Sequence, residues 1–432
     1  MKKCPRWTRH RPQTIHRGLV AAFLATTGLV ASEQSAKADG LVRCWGNNGY
    51  GQCTPPSDLG ACSSIAGGFG HNIAIRSDGL VQCWGAGTTI TSGSYTEFGQ
   101  SIVPVDLGPC LGVAAGWDHT IAIRSDGAVR CWGRNQYRQC DTPADLGPCS
   151  NVAGGAYHTI ALRIDGNVRC WGDNRVGQCN TPNDLGNCST VVGGSAHTIA
   201  LRSDGLVRCW GYNTYSQCNP PSDLGNCSSI AAGAFHTIAI RSDGIVRCWG
   251  RNTYGQCNTP SDLGTCSSVA GGYDCTIAVR SDGAVRCWGY NKYGQCNTPS
   301  DLGTCSSVAG GYAHTIAIEP TDTDGDGRPD STDNCPAIAN PLQADCNNNG
   351  VGDACELAAG APDFNGDTVP DTCQCLADLF VDRQVNGADL GVLLAFWGPV
   401  NPALPNADIN KDGFVNGADL GYLLGSWGPC TN

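Results

Sequence analysis

The sequence is poor in charge and has no long apolar run. Charged residues make up only 15% of 432 positions, which excludes a coiled coil, a charged disordered chain and a strongly basic nucleic-acid binder. No nucleic-acid partner is therefore expected. The longest apolar run, Leu19 to Ala31, is too short to cross a bilayer, so no transmembrane span is expected. No Gly-x-Ser-x-Gly elbow, phosphate-binding glycine loop or isolated cysteine–histidine pair with catalytic spacing occurs, so the usual short enzyme signatures are missing. Glycine and cysteine are abundant, at 59 and 28 residues. The glycine implies many turns and little long helix. The cysteine is too frequent for a reducing compartment.

Charge is unevenly placed: residues 1–38 carry +6, residues 39–318 carry −2 and residues 319–432 carry −15. The first segment has a basic stretch from Lys2 to Arg17, then the apolar run, then Ala36-Lys37-Ala38. That order is the pattern of a signal peptide with its small-x-small cleavage site, so 1–38 is expected to be an export signal and the mature protein to be secreted or attached to the cell surface.

Residues 39–318 repeat. Cys-Trp-Gly recurs at Cys44, Cys83, Cys131, Cys170, Cys209, Cys248 and Cys287, all at spacings of 39 except for one of 48. Within each unit, two short β-prone runs such as Thr237–Ile240 and Ile245–Trp249 flank an Asp-Gly, the strongest short hairpin signal. The repeat region opens with the second half of a unit, Asp39–Gly46, and closes with the first half of one, Val308–Ile318. Two halves sharing one blade would close a ring and remove exposed edges. The expected fold is thus an all-β seven-bladed propeller.

The motif G-x-x-H-T-I-A-[IL]-R-S-D-G-x-V-R-C-W-G-x-N resembles the repeat of the regulator of chromosome condensation family across 39–318. The resemblance implies a seven-bladed propeller. The family's eukaryotic founder is a nuclear guanine-nucleotide exchange factor, a role that export and heavy cysteine use argue against. Secreted bacterial relatives include β-lactamase inhibitory proteins, which bind their partner through rim loops.

His71, His119, His158, His197, His236 and His314 share one repeat position, with Cys275 in the remaining copy. Their recurrence favours a structural hydrogen bond within each blade over a metal or catalytic role, and the repeated tryptophans are expected to pack between blades. The cysteines fall in triplets spaced nine apart, such as Cys131, Cys140 and Cys149. Repeat two lacks the middle one, with Ser101 nine residues before Cys110, which hints that the outer two can pair without it, while the connectivity itself stays open. Disulfides are expected over zinc, because paired Cys-x-x-Cys knuckles are missing. The variable positions before each histidine are rich in aromatics: Phe69, Trp117, Asp118, Tyr157, Phe235, Tyr273, Asp274 and Tyr312. Repetition would gather them on one rim, a binding surface for a protein or polysaccharide. As ordinary loop residues they would carry no ligand.

Residues 319–374 carry the runs Asp-Thr-Asp-Gly-Asp-Gly from Asp322 and Asp-Cys-Asn-Asn-Asn-Gly from Asp345, and on these they resemble thrombospondin type 3 repeats. Alternating carboxylates in glycine-permitted turns suit Ca²⁺, a hard, oxygen-seeking ion. Candidate ligands are Asp322, Asp324, Asp326, Asp330 and Asp333, then Asp345, Asn347, Asn349 and Asp353, then Asp363, Asn365, Asp367 and Asp371. Residues 375–432 hold a duplicated segment that resembles a type I dockerin, a small α-helical calcium module that binds cohesins. Asp408, Asn410, Asp412, Phe414 (through its carbonyl), Asn416 and Asp419 match the second loop. The first copy is degraded by Phe380 and Arg383, with Asp378, Asp382, Asn386 and Asp389 as weaker candidates. Trp397 and Trp427 are expected in its core, and Cys375 with Cys430 as its clasp.

The leading functional expectation is a non-catalytic secreted adaptor whose tail tethers it to a cohesin-like or surface partner. A polysaccharide-degrading enzyme is the rival, with Glu97, Asp118 and Asp274 as its only symmetry-breaking carboxylates. An inhibitor like the β-lactamase inhibitory propellers is the third reading.

Overall fold

The computed structural model describes residues 39–89, 96–330, 332–361, 363, 368–370, 373, 375–380, 383–400 and 405–429. The export signal expected at 1–38 lies outside the described residues, as do Asn365, Asp367, Asp371, Asp382 and Cys430. Among the described residues no helix is long and apolar enough to cross a membrane.

The repeats form antiparallel β-sheet. A representative unit consists of Cys227–Ala232, His236–Arg241 and Val246–Gly250, with Ile238 opposite Cys248 in the last pair. The Asp-Gly turn joins its second and third strands because Gly244 adopts φ +82°, a conformation other residues rarely hold. Among the described residues there are five separate three-stranded sheets of this kind and one six-stranded sheet, the repeated arrangement of propeller blades. In the six-stranded sheet, Gly40–Gly46 pairs along its whole length with His314–Pro320, from Gly40 opposite Pro320 to Gly46 opposite His314. The first strand of the repeat region therefore completes the sheet built by the last two.

The second strand of every unit is buried on both faces, which explains its continuous Ile-Ala-Ile, Ile-Ala-Leu or Ile-Ala-Val core. Ile160, Ile199, Ile238 and Ile277 have no exposed surface. Packing runs from sheet to sheet. Trp210 sits with Ile160, Leu162 and Val168 of the preceding unit, and Trp45 with Ile277 and Val279. The repeated tryptophan is thus the inter-sheet wedge.

The inner strands converge on a cavity of about 330 Å³, lined by residues from Ile65–Phe69, Val113–Trp117, Asn151–Ala156, Thr190–Ser195, Ile230–Ala234, Val269–Tyr273 and Val308–Tyr312. Glycine sets how closely these strands approach. A Cβ on Gly154 would lie 2.5 Å from the Ala115 carbonyl oxygen, and one on Gly271 would overlap the Ala232 backbone in the same way.

A polar relay lies over this core, and it corrects the expected hydrogen bond within each blade. Each histidine Nε2 reaches the threonine of the next unit: His71 to Thr120 at 3.1 Å, His119 to Thr159 at 3.2 Å, His158 to Thr198 at 3.2 Å, His197 to Thr237 at 3.4 Å and His236 to Thr276 at 3.1 Å. His314 closes the series on Asn72 Oδ1 at 2.7 Å. The threonine hydroxyls donate to glutamine carbonyls, as Thr159 does to Gln139 at 2.7 Å. They must therefore accept from the histidines, which fixes the Nε2–H tautomer. Each imidazole lies over the glycine of its own unit, which leaves room for the ring: a Cβ on Gly155 would collide with the His158 ring. Burial pushes His71, His119 and His197 down to about 3 and His158, His236 and His314 to about 4, so all are neutral near pH 7. Cys275 interrupts the relay.

After Pro320 the chain has short elements: α1 (Asp353–Ala358), α2 (Gly387–Ala395) and α3 (Gly417–Gly425). Asn386 and Asn416 cap α2 and α3, with Asp389 and Asp419 completing the capping boxes. Gln384–Val385 pairs with Gly428–Pro429, and Gly398–Pro399 with Phe414–Val415, an exchange between the two halves of the duplicated segment. Leu393 and Leu423 are fully buried in the small core these halves share.

Candidate functional site

The variable residues before each histidine meet at one face of the repeat region. Phe69 lies 4.4 Å from Tyr312 and 6.0 Å from Trp117 between ring centroids. Tyr273 lies 4.7 Å from Tyr312, 6.1 Å from Trp117 and 5.9 Å from Phe235. Tyr157 touches Trp117 at 5.4 Å. All six aromatics named from sequence thus form one contiguous cluster at the cavity mouth, where Phe69, Trp117, Tyr273 and Tyr312 also line it.

The sequence reading missed a second set. A tyrosine recurs five residues after most of the Cys-Trp-Gly tryptophans, at Tyr50, Tyr137, Tyr215, Tyr254 and Tyr293. That spacing was the available signal. Tyr137 reaches Tyr157 at 5.1 Å, and Tyr215 reaches Phe235 at 5.7 Å, so the aromatic surface extends outward from the mouth. The backbone N–H of each of the five is held by a glutamine Oε1 two residues on, at 2.8 to 3.0 Å. The carbonyls of the same buried glutamines accept from the sheet: Gln217 from Thr237 at 2.8 Å and Trp249 at 2.9 Å, Gln52 from Asn72 and Trp84, and Gln139, Gln256 and Gln295 from Thr159, Thr276 and Thr315. One side chain thereby ties the loop to the sheet.

The two rim carboxylates are paired. Arg134 Nη1 donates to Asp118 at 3.1 Å while its guanidinium lies over Tyr157 and Phe98. Arg251 lies 3.4 Å from Asp274 and over Tyr215, Phe235 and Tyr254, and Gln256 Nε2 donates to Asp274 at 3.1 Å. Burial raises both carboxyls above the usual range and the guanidiniums partly offset it. Glu97 accepts from Thr89 Oγ1 at 2.9 Å and from the Gly87 amide at 3.3 Å, so it fastens its own insertion.

Sulfurs pair first with middle, which corrects the outer-pair hint. Cys170–Cys179 and Cys287–Cys296 are disulfides. The sulfurs of Cys44 and Cys53 lie 2.8 Å apart, and those of Cys131–Cys140 and Cys209–Cys218 2.7 Å apart. The third cysteine of each triplet is buried, and most, such as Cys149 and Cys188, open an inner strand. Cys83, facing a unit with Ser101 at the middle position, stays unbonded. Further disulfides join Cys335 to Cys355 and Cys346 to Cys373. Cys375 is disulfide-bonded.

In the tail, the carboxylates of Asp322, Asp324 and Asp326 converge within 4.8 Å. Partial burial and the neighbouring charges of Asp326, Asp333 and Asp322 hold Asp324 above the usual range. Asp324 and Asp333 each keep one buried oxygen with no partner, which fits a hard cation. Asp330 instead accepts from Thr323 N at 2.7 Å and Oγ1 at 2.8 Å. Asp345 accepts from the Gly350 amide, and Asp353 from the Cys346 amide. Asn347 and Asn349 donate to Glu356, a residue the sequence reading omitted. Asp363 and Asp378 accept from the Thr368 and Arg383 amides.

The second duplicated loop is folded around its own backbone. Asp408 accepts from the Asp412 and Gly413 amides, Asp412 from the Asn410 and Asn416 side chains, and the Phe414 carbonyl from Asn416. Those contacts hold Asp412 below the usual carboxylate range. Both oxygens of Asp419 are engaged by backbone N–H groups of Ile409, Asn410 and Asn416. Asp389 repeats this on Phe380 and Asn386. Trp397 and Trp427 are 49% and 50% exposed, and Leu394 and Leu424 are each 53% exposed. The tryptophans are therefore surface, because the second leucine of each pair and the tryptophan fall off the face that Leu393 and Leu423 bury.

Residues 112–139, 149–178, 188–217, 227–256 and 266–295 match the regulator of chromosome condensation (RCC1) repeat, and residues 320–343 match the thrombospondin type 3 repeat. The chain thus carries repeats of both kinds. A comparison with curated proteins found no match. Among solved structures, Prp20p from Saccharomyces cerevisiae, described with its binding to Gsp1p and histones, is 18% identical. It covers 67% of this chain and 93% of its own, with a TM-score of 0.54. Yeast RCC1 (Prp20) bound to Kap60 is also 18% identical and covers 73% and 97%, with a TM-score of 0.56. Human WBSCR16 is 19% identical and covers 65% and 100%, with a TM-score of 0.54. At these identities the likeness establishes a shared fold.

Proposed function

We propose that this is a secreted, non-catalytic binding protein: a seven-bladed propeller whose aromatic face recognises a macromolecule, followed by a calcium-ordered tail that tethers it to a scaffold or surface. The single observation that carries the reading is the contiguous aromatic face, with its carboxylates already paired to arginines. Seven blades are supported by the cavity, to which seven inner strands contribute. The six-stranded sheet is then two blades joined by a single pairing, Gly40 with Cys62. Export is supported by the cysteine pairs, which would be reduced in a cytosol.

The converging carboxylates at Asp322, Asp324 and Asp326 support Ca²⁺ in the tail. The duplicated loop-and-helix halves support a dockerin-like module, and exposed Trp397, Trp427, Leu394 and Leu424 supply its apolar surface for a cohesin-like or other partner. The test is affinity capture from the source cell's envelope and secreted fraction with the full chain, with calcium and with chelator. Two partners are expected, one lost with chelator and one lost when Trp117 and Tyr273 are replaced by alanine. Capture that is indifferent to both treatments would overturn the reading.

A further inference from the structure

We propose that the macromolecule bound by the aromatic face is an uncharged polysaccharide; this rests on the recognition role proposed above and names its ligand class. Three observations point there. First, the face offers rings and hydroxyls, and most of its cations are paired; Lys292, over Tyr293 at 5.8 Å, is an exception. Arg134, Arg251 and Arg175 are each held by a carboxylate of the same surface, the last by Asp173 at 2.8 Å. A charged polymer would have to break these pairs.

Second, the outer tyrosines are presented rather than buried: Tyr50, Tyr215, Tyr254 and Tyr293 are 42–46% exposed. A ring face of this kind accepts the apolar C–H face of a pyranose, and the phenol meets its hydroxyl edge. Third, the platform repeats. The same tyrosine in the same glutamine-held loop recurs in five units. Equivalent weak subsites suit a ligand built of identical units, because each added contact raises the effective concentration for the next. A non-repetitive protein surface has no such period.

The test is affinity electrophoresis of the full chain in gels containing soluble mixed-linkage glucan, xylan, galactomannan or, as the charged control, polygalacturonate, at low salt and in high salt. At least one neutral polymer should retard the chain equally at both salt levels. Tyr254→Ala should weaken that retention several-fold, and the triple change of Tyr215, Tyr254 and Tyr293 to alanine should remove it. The corresponding triple change to phenylalanine keeps the stacking rings and should retain most of it, with circular dichroism and melting confirming that both variants are folded. Retardation by none of the neutral polymers, or only by polygalacturonate and only at low salt, overturns the proposal. Capture of a protein partner that the triple alanine variant loses, without glycan retention, overturns the glycan and leaves the recognition role standing. Unchanged capture of every partner by both the triple variant and the Trp117 and Tyr273 variant removes both.

Discussion

The repeat region and the tail solve the same problem with different materials. In the repeats, apolar second strands fill the spaces between sheets, and the buried relay that links them is neutral: imidazole, hydroxyl and carbonyl in fixed succession. In the tail, carboxylates wrap backbone amides around tight loops, and one small core serves both halves of a duplicated segment. The first arrangement distributes stability over many similar interfaces. The second concentrates negative charge and gains most from a bound cation. Each should therefore fail under a different stress.

Acid gives the largest expected separation. The repeat histidines sit below their ordinary 6.5, at about 3 to 4. The unfolded chain therefore takes up protons first as pH falls. Their contribution is intact above about pH 6.5 and is lost progressively toward pH 4, by up to ~1.4 kcal/mol per histidine per pH unit. The urea midpoint of the repeats should drop steeply from pH 7 to 5. The tail should hold longer, because Asp330 and Asp412 lie below the ordinary 3.8 and lose their contribution only as pH falls from about 3.8 through those lowered values. A midpoint that stays flat from pH 7 to 5 would contradict the neutral relay.

Next in size is Ile160→Ala, which should lower the stability of the repeats by about 3 kcal/mol in urea denaturation and leave the tail's transition in place. Chelator should do the reverse. It should lower the tail's melting temperature by the equivalent of about 2–3 kcal/mol, if calcium had been present at about a hundred times its dissociation constant, and leave the repeats nearly unchanged. Equal shifts in both transitions would dissolve the comparison. The smallest effect is Cys275→His, which should supply Thr315 with the donor it lacks and raise the repeats' stability by about 1 kcal/mol in the same urea assay. A decrease would mean that this pocket has closed around the smaller side chain.

Much of the repeat fold was legible because its determinants are local and recur: Asp-Gly turns, two-sided apolar strands and the Cys-Trp-Gly period. What recurs but acts between units was harder. His158 and Thr198 lie 40 residues apart, so the direction of the relay is visible only once neighbouring sheets are in place. The cysteines misled for a related reason. Equal spacing on either side of the middle cysteine says nothing about depth, and depth separates paired Cys170 from core Cys188. The aromatic face was half legible. Residues next to the histidine stood out through variation, whereas Tyr215 and its equivalents were masked by regularity. In the tail, sequence identified the carboxylates but not which oxygens the backbone would claim, and at Asp419 the backbone amides engage both.

Beyond its single pairing with Cys62, the strand Gly40–Gly46 finds its full-length partner at His314–Pro320. During synthesis the first strand must wait, edge exposed, until nearly all later units exist, and the closing contact is the least local strand pairing among the described residues. Ring closure is then expected to come late and to be slow, since a long intervening segment must be gathered first. A permuted chain that opens between two interior units, with the present ends of the repeats joined, would form that contact early and should fold faster to the same product.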